Sequence, residues 1–235
     1  MHRCPIGPSQ PVPTPEATVS GPVRRPRRRL NQPREQVLAA AMATIAAEGL
    51  DRLTMAGLGR EVGMSSGHIL YYFGTKDELL LQTLQWSEEQ LGAERRAALS
   101  RRVPARERLD ALVDLYLPEG HRDPRWTLWL EVWVRSQNAD DETRERQLDL
   151  ELAWHRDLVA LLVEGVSKGE FRPVDAERFA TRTRALLDGF GTHLVVGLPG
   201  TTREQVDRAV REFLDESLTV PQGLHGPGPS GRPQD

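Results

Sequence analysis

Between residues 53 and 79 the chain reads LTMAGLGREVGMSSGHILYYFGTKDEL, and this stretch decides the fold. Thr54 is a favoured N-cap residue ahead of a short segment with helical periodicity that Gly63 interrupts, and Ser65 caps a second short segment. Thr75 precedes Lys-Asp-Glu, whose acidic residues suit the positive end of a helix dipole. Two short helices joined by a glycine-containing turn, with a supporting helix before them, form a helix-turn-helix.

The second short segment carries the side chains best suited to meeting DNA. Ile69 and Leu70 are expected to anchor it in the core, and Gly67 permits close approach to a groove wall. The other side chains offer hydroxyl, imidazole and ammonium groups that can meet base edges or phosphates. The predicted DNA-contacting residues are Thr54, Ser65, Ser66, Gly67, His68, Tyr71, Tyr72 and Lys76.

This stretch resembles the DNA-binding domain of the TetR/AcrR family of transcriptional regulators. The family pattern is a Gly-apolar-Ser turn, a glycine, an aromatic pair ending in Phe, and a Lys-acid-acid-Leu helix start, which stand here at 63–65, Gly67, 71–73 and 76–79. The resemblance implies base or groove-wall contacts from Ser66, Gly67, His68 and Tyr71, and phosphate contacts from Thr54, Tyr72 and Lys76. Many members place Tyr where this chain has Leu70, so one phosphate contact is expected to be missing.

Outside this stretch the pattern is helical except at the two ends. Residues 1–30 and 219–235 are rich in Pro and Gly, and we expect both to be disordered because they bury too little apolar surface to offset the entropy of ordering. Between them no alternating strand pattern of useful length appears. The expected fold is all-α, with a helix-turn-helix DNA-binding domain over 31–91 and a helical effector-binding and dimerisation domain over 92–218.

Charge is unevenly distributed along the chain. The net charge is -3, but residues 1–76 hold ten Lys or Arg against five Asp or Glu, which gives +5 and leaves -8 for the remainder. The basic end is therefore the part expected to meet a polyanion. Its densest run is Arg24, Arg25, Arg27, Arg28 and Arg29. This run is either an arm that enters an adjacent minor groove or a solvated tail without a role.

Several classes of protein are disfavoured by composition and motif. No apolar run approaches the length of a membrane span and the first residues lack the apolar region of a signal peptide, so we expect a cytoplasmic protein without a membrane partner. Cys4 is the single cysteine, which rules out an intrachain disulfide and a cysteine-rich zinc site. The chain lacks G-x-S-x-G, Walker A, G-x-G-x-x-G and H-E-x-x-H motifs. We therefore expect no catalytic residues, cofactor or metal.

The second half of the chain resembles the C-terminal domain of the BetI-like branch of the family. The matching segments are RWTLWLEVWVRS at 125–136, LLVEGVSKGEFRPVD at 161–175 and ALLDGFGTHL at 185–194. In the family the last two long helices of each subunit form a four-helix bundle across a two-fold axis, which here points to 141–168 and 175–196. The resemblance implies a homodimer and an operator that is palindromic or nearly so.

Aromatic residues in this half predict an effector pocket. Three tryptophans at i, i+3 and i+7 share one helix face, and four further residues could meet them across a pocket. The predicted lining is Trp126, Trp129, Trp133, Trp154, His155, Phe190 and His193. Glu131 lies elsewhere on the same helix, and an aromatic cage with a carboxylate suits a cationic or amphipathic effector through cation–π attraction. The alternative is that these tryptophans are ordinary core or dimer-interface packing.

These observations predict a ligand-responsive DNA-binding transcriptional regulator. The family implies a repressor that an effector releases, because the ligand favours a subunit arrangement whose reading heads are wrongly spaced for the operator. Two other classes remain open: an enzyme, and a helical dimer whose helix-turn-helix binds protein. Salt-dependent DNA affinity would reject the second of these.

Overall fold

The computed structural model describes residues 33–220, and within this range the chain forms nine α-helices and no β-strand. The helices are α1 Pro33–Glu48, α2 Met55–Val62, α3 Ser66–Phe73, α4 Lys76–Leu99, α5 Ala105–Tyr116, α6 Pro124–Ser136, α7 Asp141–Ser167, α8 Ala176–Val196 and α9 Arg203–Leu218. A 3-10 turn at Leu50–Arg52 joins α1 to α2. The all-α prediction is confirmed. The arginine run, Cys4 and residues 221–235 lie outside the described residues.

Side-chain caps set most of the helix starts between residues 33 and 220. In the regulatory half Asp140 accepts a hydrogen bond from Thr143 N at 2.8 Å, and Asp175 accepts one from Arg178 N at 3.0 Å. Thr202 forms a reciprocal capping box at the start of α9. Such caps satisfy amide groups that a helix start leaves without partners, which is why short polar residues locate these boundaries in sequence.

Buried apolar residues form two clusters that meet along α4 and α6. The first cluster packs α1, α2 and α3 against the beginning of α4, and the second packs α5, α7, α8 and α9 together. On α4, Trp86 packs against the first cluster and Leu91 against the second. Since α4 is continuous from Lys76 to Leu99, it runs through the domain boundary predicted at 91–92.

Helix α6 contributes to both clusters. Leu128, Trp129 and Val132 are buried in the first cluster, whereas Trp126 is buried in the second. Trp133 packs against both. A displacement of α6 therefore acts on both halves of the molecule at once, because close-packed interiors transmit strain.

Ion pairs tie the long helices to one another. The Arg108 guanidinium donates two hydrogen bonds to the Glu164 carboxylate, at 2.9 and 2.8 Å, and joins α5 to α7. This guanidinium, together with the Lys168 ammonium, lowers the pKa of Glu164 to about 2. Arg95 pairs with Asp157 at 2.6 Å and joins α4 to α7.

One glycine marks a very close contact between helices. Gly191 of α8 faces the Trp126 ring of α6, and a Cβ added at this position would lie 2.3 Å from Cη2 of the indole. Only a residue without a side chain fits here unless the ring moves.

None of the helices between residues 33 and 220 combines the length and the apolar character needed to cross a membrane.

Candidate DNA interface and effector cavity

The turn between α2 and α3 is built around two glycines. Gly63 ends α2 in the left-handed conformation, with φ 72°, where L side chains are disfavoured. Met64 N donates to Gly59 O at 2.7 Å, and a Cβ at Gly59 would lie 2.6 Å from Met64 O. The turn can therefore be this tight only because both positions lack a side chain, and its tightness fixes the angle between the two helices.

Helix α3 is anchored by Ile69 and Phe73, which are both buried in the first cluster. These two residues lie four apart and share one face of the helix. Leu70, which we expected as an anchor beside Ile69, is instead 45% exposed. The prediction was wrong at this position because the buried face continues from Ile69 by one helical turn, and the adjacent residue points about 100° away from it.

The eight predicted DNA-contacting residues lie on or beside the exposed face of α3, the face opposite Ile69 and Phe73. Seven of the eight residues are exposed and Lys76 is half-buried. Tyr71 is 83% exposed. The His68 and Tyr72 rings stack with centroids 5.6 Å apart and planes 13° apart, which gives the middle of the face a flat aromatic surface. Exposed polar and aromatic side chains on a short protruding helix are suited to a DNA major groove.

Three helix starts lie at this end of the molecule, each with a hydroxyl cap. Thr54 Oγ1 accepts a hydrogen bond from Gly57 N at 3.0 Å, and Ser65 Oγ accepts one from His68 N at 3.1 Å. Thr75 Oγ1 accepts one from Glu78 N at 3.1 Å. A hydroxyl that accepts such a bond can still donate its own hydrogen to a phosphate oxygen. Helix N-termini also favour anions through their dipoles.

The second candidate site is a cavity in the regulatory half. It is lined by Tyr116, Arg125, Trp126, Trp129, Trp133, Glu151, Trp154 and Arg184. Its free volume is about 20 Å³, and a single water needs roughly 10–15 Å³. The four predicted tryptophans therefore meet around one small cavity, and a larger ligand can enter only if side chains or helices move.

Three residues that were predicted to line the pocket lie elsewhere. His155 Nε2 is 2.9 Å from a carboxylate oxygen of Glu177, on the side of α7 that meets α8. Phe190 is half-buried against the second cluster, and His193 is exposed on α8. The sequence does not fix the rotation of α7 and α8 about their axes, and in the structure this rotation turns the three residues away from the cavity.

A buried carboxylate on α4 holds two of the tryptophans. Glu88 is 6% exposed, and its two oxygens accept hydrogen bonds from Trp129 Nε1 and Trp154 Nε1, both at 2.8 Å. Arg125 lies 3.4 Å from the same carboxylate. Glu88 was not predicted, because nothing in the sequence pattern links it to tryptophans that lie 41 and 66 residues further along the chain. Glu131, the carboxylate singled out from sequence, pairs instead with Arg135.

The other two indole N–H groups are bonded as well. Trp133 Nε1 donates to Glu151 Oε1 at 2.8 Å, and Trp126 Nε1 donates to the Tyr116 carbonyl at 2.8 Å. Since every indole N–H of the four rings is hydrogen-bonded to protein, the rings offer their carbon surfaces to the cavity. Arg95 already lies over the Trp154 ring, 4.3 Å from its centroid. That contact shows that the ring accepts a cation on its face.

A second carboxylate lies behind the tyrosine of the cavity. The Tyr116 hydroxyl donates to Asp188, and burial raises the pKa of Asp188. Burial also raises the pKa of Tyr116, so the hydroxyl stays protonated and keeps donating. The carboxylates of Glu88, Glu151 and Asp188 equal in number the guanidinium groups of Arg95, Arg125 and Arg184 around these rings. The feature of the cavity that attracts a positive charge is therefore the set of aromatic ring faces.

Comparison with known families matches both halves of the chain. Residues 37–83 match the model described as bacterial regulatory proteins, tetR family. Residues 105–219 match the model described as BetI-type transcriptional repressor, C-terminal. The HTH-type transcriptional regulator BetI of Agrobacterium fabrum is 31% identical over 197 residues, which cover 80% of this chain and 93% of that protein. BetI of Brucella anthropi is 26% identical over 186 residues, which cover 79% and 93%.

Solved structures show the same architecture. A transcriptional regulator from Saccharomonospora viridis, in complex with choline, superposes with a TM-score of 0.71 at 30% identity and covers 79% of this chain and 96% of that one. A TetR regulator from Haloarcula marismortui superposes with a TM-score of 0.68 at 23% identity, over 80% and 98% of the two chains, and supports the fold. With its exposed reading helix, its regulatory helical half and these relatives, the chain belongs to the TetR family and is a ligand-responsive DNA-binding transcriptional regulator, not an enzyme.

Proposed function

We propose that this regulator is a cytoplasmic repressor that binds a palindromic operator as a homodimer and is released by a small organic cation. The observation that carries the effector assignment is the cavity of four tryptophans whose N–H groups are all bonded to protein. A ligand in this cavity meets aromatic carbon surfaces and the carboxylate of Glu151. A quaternary ammonium fits this chemistry because it brings positive charge and needs no hydrogen-bond acceptor.

Two comparisons support the proposal. The C-terminal half matches a family model described as a BetI-type repressor. The Saccharomonospora viridis regulator, 30% identical to this chain, was solved with choline, a quaternary ammonium.

The DNA side of the proposal rests on the exposed face of α3. Ser66, Gly67, His68 and Tyr71 are proposed to contact bases or the groove wall. Phosphate contacts are assigned to Thr54, Tyr72 and Lys76, with Ser65 supporting the start of α3.

The proposed dimer uses α7 and α8. Apolar side chains remain exposed on and just after these helices in the single chain, at Leu148, Val163, Val196 and Leu198. A four-helix bundle with a second copy would cover them and fix the separation of the two reading helices. Two α3 helices that bind the same face of DNA must lie one turn of the double helix apart, about 34 Å, or a multiple of that distance. The geometry of the dimer therefore controls its affinity for the operator.

The proposed release follows from the position of α6. A free volume of about 20 Å³ cannot hold an organic cation, so the ligand-bound arrangement has a larger cavity and displaced walls. Trp126 and Trp133 are two of those walls, and the same helix buries Leu128 and Val132 in the core of the DNA-binding half. An effector that favours the expanded cavity therefore shifts the population toward a different placement of the reading helices.

The DNA-binding part is tested by selecting random duplexes with the purified protein. We expect a palindromic sequence. The Tyr71→Ala variant should lose discrimination between operator and unrelated DNA, whereas Lys76→Ala should weaken binding to both and lower the salt slope by about 1. No enriched sequence, with only weak salt-sensitive binding, would contradict the proposal.

The effector part is tested by comparing choline with 3,3-dimethylbutan-1-ol, which has the same shape but no charge. We expect choline to bind the free protein about 5–30-fold more tightly, the factor that a cation–π contribution of about 1–2 kcal/mol gives. Choline should also release the operator. Equal binding of the two compounds would show that the cavity does not recognise charge.

A further inference from the structure

A second open space lies between the DNA-binding half and the regulatory half. This cleft has a volume of about 450 Å³, far larger than the tryptophan cavity. Its apolar wall includes Phe73, Leu81 and Val132. These residues come from the end of α3, from α4 and from α6, so the cleft is walled by the reading helix as well as by the helix shared between the two cores.

The polar wall of the cleft is acidic. The carboxylates of Asp77, Glu78 and Asp140 line it, against the single guanidinium of Arg135. Asp77 pairs with Arg135 at 2.6 Å, and Asp140 caps α7 through Thr143 N at 2.8 Å. Hydrogen bonds from Thr143 lower the pKa of Asp140, which keeps its charge at neutral pH. Glu78 accepts two hydrogen bonds from Arg146, at 3.0 and 2.9 Å, so among the described residues Asp140 is the carboxylate of this wall that has no arginine partner.

An incompletely bonded amide completes the wall. Gln147 is 7% exposed and lines the cleft, and its Nε2 donates to Glu151 Oε1 at 3.1 Å. Its Oε1 is buried and has no hydrogen-bond partner among residues 33–220. Buried amide oxygens in folded proteins are nearly always bonded, since an unsatisfied one is costly. The wall therefore has an acceptor for which the described residues supply no donor.

We propose that this cleft is a second effector site that binds a small organic amine carrying N–H groups. An ammonium N–H would donate to Gln147 Oε1, which a small rotation of the side chain would bring to the surface of the cleft, while Asp140 neutralises its charge. A short carbon chain would cover Phe73 and Leu81. A quaternary ammonium lacks N–H groups and cannot satisfy this oxygen. The two sites thus select different classes of cation.

The position of the cleft gives its ligand a direct effect on DNA binding. Phe73, Gly74 and Thr75 follow one another at the end of α3 and line the cleft. A ligand there fixes the separation between the reading helix and α6. Gln147 also bonds the Glu151 carboxylate that holds Trp133, so the amide connects the cleft to a wall of the tryptophan cavity.

The test is calorimetric titration of the full chain with 1,4-diaminobutane. Asp140→Asn removes one charge and retains a good N-cap residue, and we expect it to weaken binding about tenfold, as loss of a charge-assisted contact does. The matched control is Asp175→Asn, which makes the same change at the capping residue of α8 and should leave binding unchanged. Gln147→Met keeps the side-chain volume, removes the acceptor and should weaken binding as well.

Competition separates this cleft from the tryptophan cavity. Saturating choline should leave diaminobutane binding in place, and diaminobutane should change operator affinity in the wild type but not in Asp140→Asn at the same concentration. Absence of saturable diaminobutane binding would overturn the proposal. So would displacement of diaminobutane by choline, or equal affinity of Asp140→Asn and Asp175→Asn.

Discussion

Replacing Glu88 with Gln tests whether this carboxylate holds the tryptophan cavity together. The carboxylate accepts one indole N–H on each oxygen, from Trp129 and Trp154. A glutamine has one oxygen to keep one of these bonds, and its NH₂ group faces the other indole N–H, donor against donor. One buried indole N–H is then left without an acceptor. Arg125 loses its carboxylate but keeps the carbonyls of Leu115 and Tyr116.

The magnitude follows from these losses. An unsatisfied buried N–H costs about 1–3 kcal/mol, and loss of the neighbouring guanidinium interaction brings the total to about 2–4 kcal/mol. For a chain of this size each kcal/mol shifts the melting temperature by about 2–4 °C, so we expect Glu88→Gln to melt roughly 4–16 °C lower. Thermal unfolding followed by circular dichroism measures this shift at a fixed protein concentration, because dimer stability depends on concentration.

The adjacent exposed residue provides the matched control. Glu89→Gln makes the same chemical change on the same helix, outside the core, and should alter stability by no more than about 0.5 kcal/mol. If Glu88→Gln and Glu89→Gln melt within about 1 °C of each other, the hydrogen bonds of Glu88 do not stabilise the fold, and the reasoning about the cavity fails.

Three further predictions concern packing, pH and DNA contact. Gly191→Ala places a methyl group against the Trp126 ring and should destabilise the protein by about 1–3 kcal/mol in urea unfolding; an unchanged midpoint would show that the ring moves freely. Glu164→Gln should be less stable than wild type at pH 7, because the depressed pKa of Glu164 contributes stability above its unfolded value of about 4.5 that is lost as pH falls toward 2. Urea melts at pH 7, 4 and 3 should show the difference in stability narrowing below pH 4.5, and a constant difference would refute the role of charge. Leu70→Tyr should raise operator affinity about 3–10-fold by adding a phosphate contact of about 1 kcal/mol, and no gain in a filter-binding titration would indicate that this residue faces away from the DNA backbone.

Local signals predicted the helix boundaries well. Caps such as Thr54 and Ser65 act within one helical turn of their own position, so their effect can be read without knowing the rest of the fold. The sharing of α6 between two cores was not predictable in this way. Leu128 and Trp126 are both apolar residues of one helix, and only the packing of other helices decides which cluster receives each of them.

The candidate cavity also combines features that the local sequence predicted with features that depend on the packing of the helices. Helical spacing brought the tryptophans of α6 to one side of the helix, and the structure places all three around the cavity with Trp154. His155 follows Trp154 directly and therefore points about 100° away from it, which an argument from proximity in sequence overlooked. Glu88 lies 66 residues before Trp154, and sequence pattern alone contains no signal that joins the two.

The shared helix limits how such regulators can be recombined. A DNA-binding half cut off after α4 would lose Leu128, Trp129 and Val132, and their removal would leave holes in the first cluster. Chimeras that graft the reading head of this protein onto another regulatory half therefore need to carry α6 with the head, although 24 residues separate the end of α4 from the start of α6. The exchangeable unit consists of α1 to α4 together with α6, and it is therefore discontinuous along the chain. Changes in the sequence of α6 have to remain compatible with both buried clusters at once.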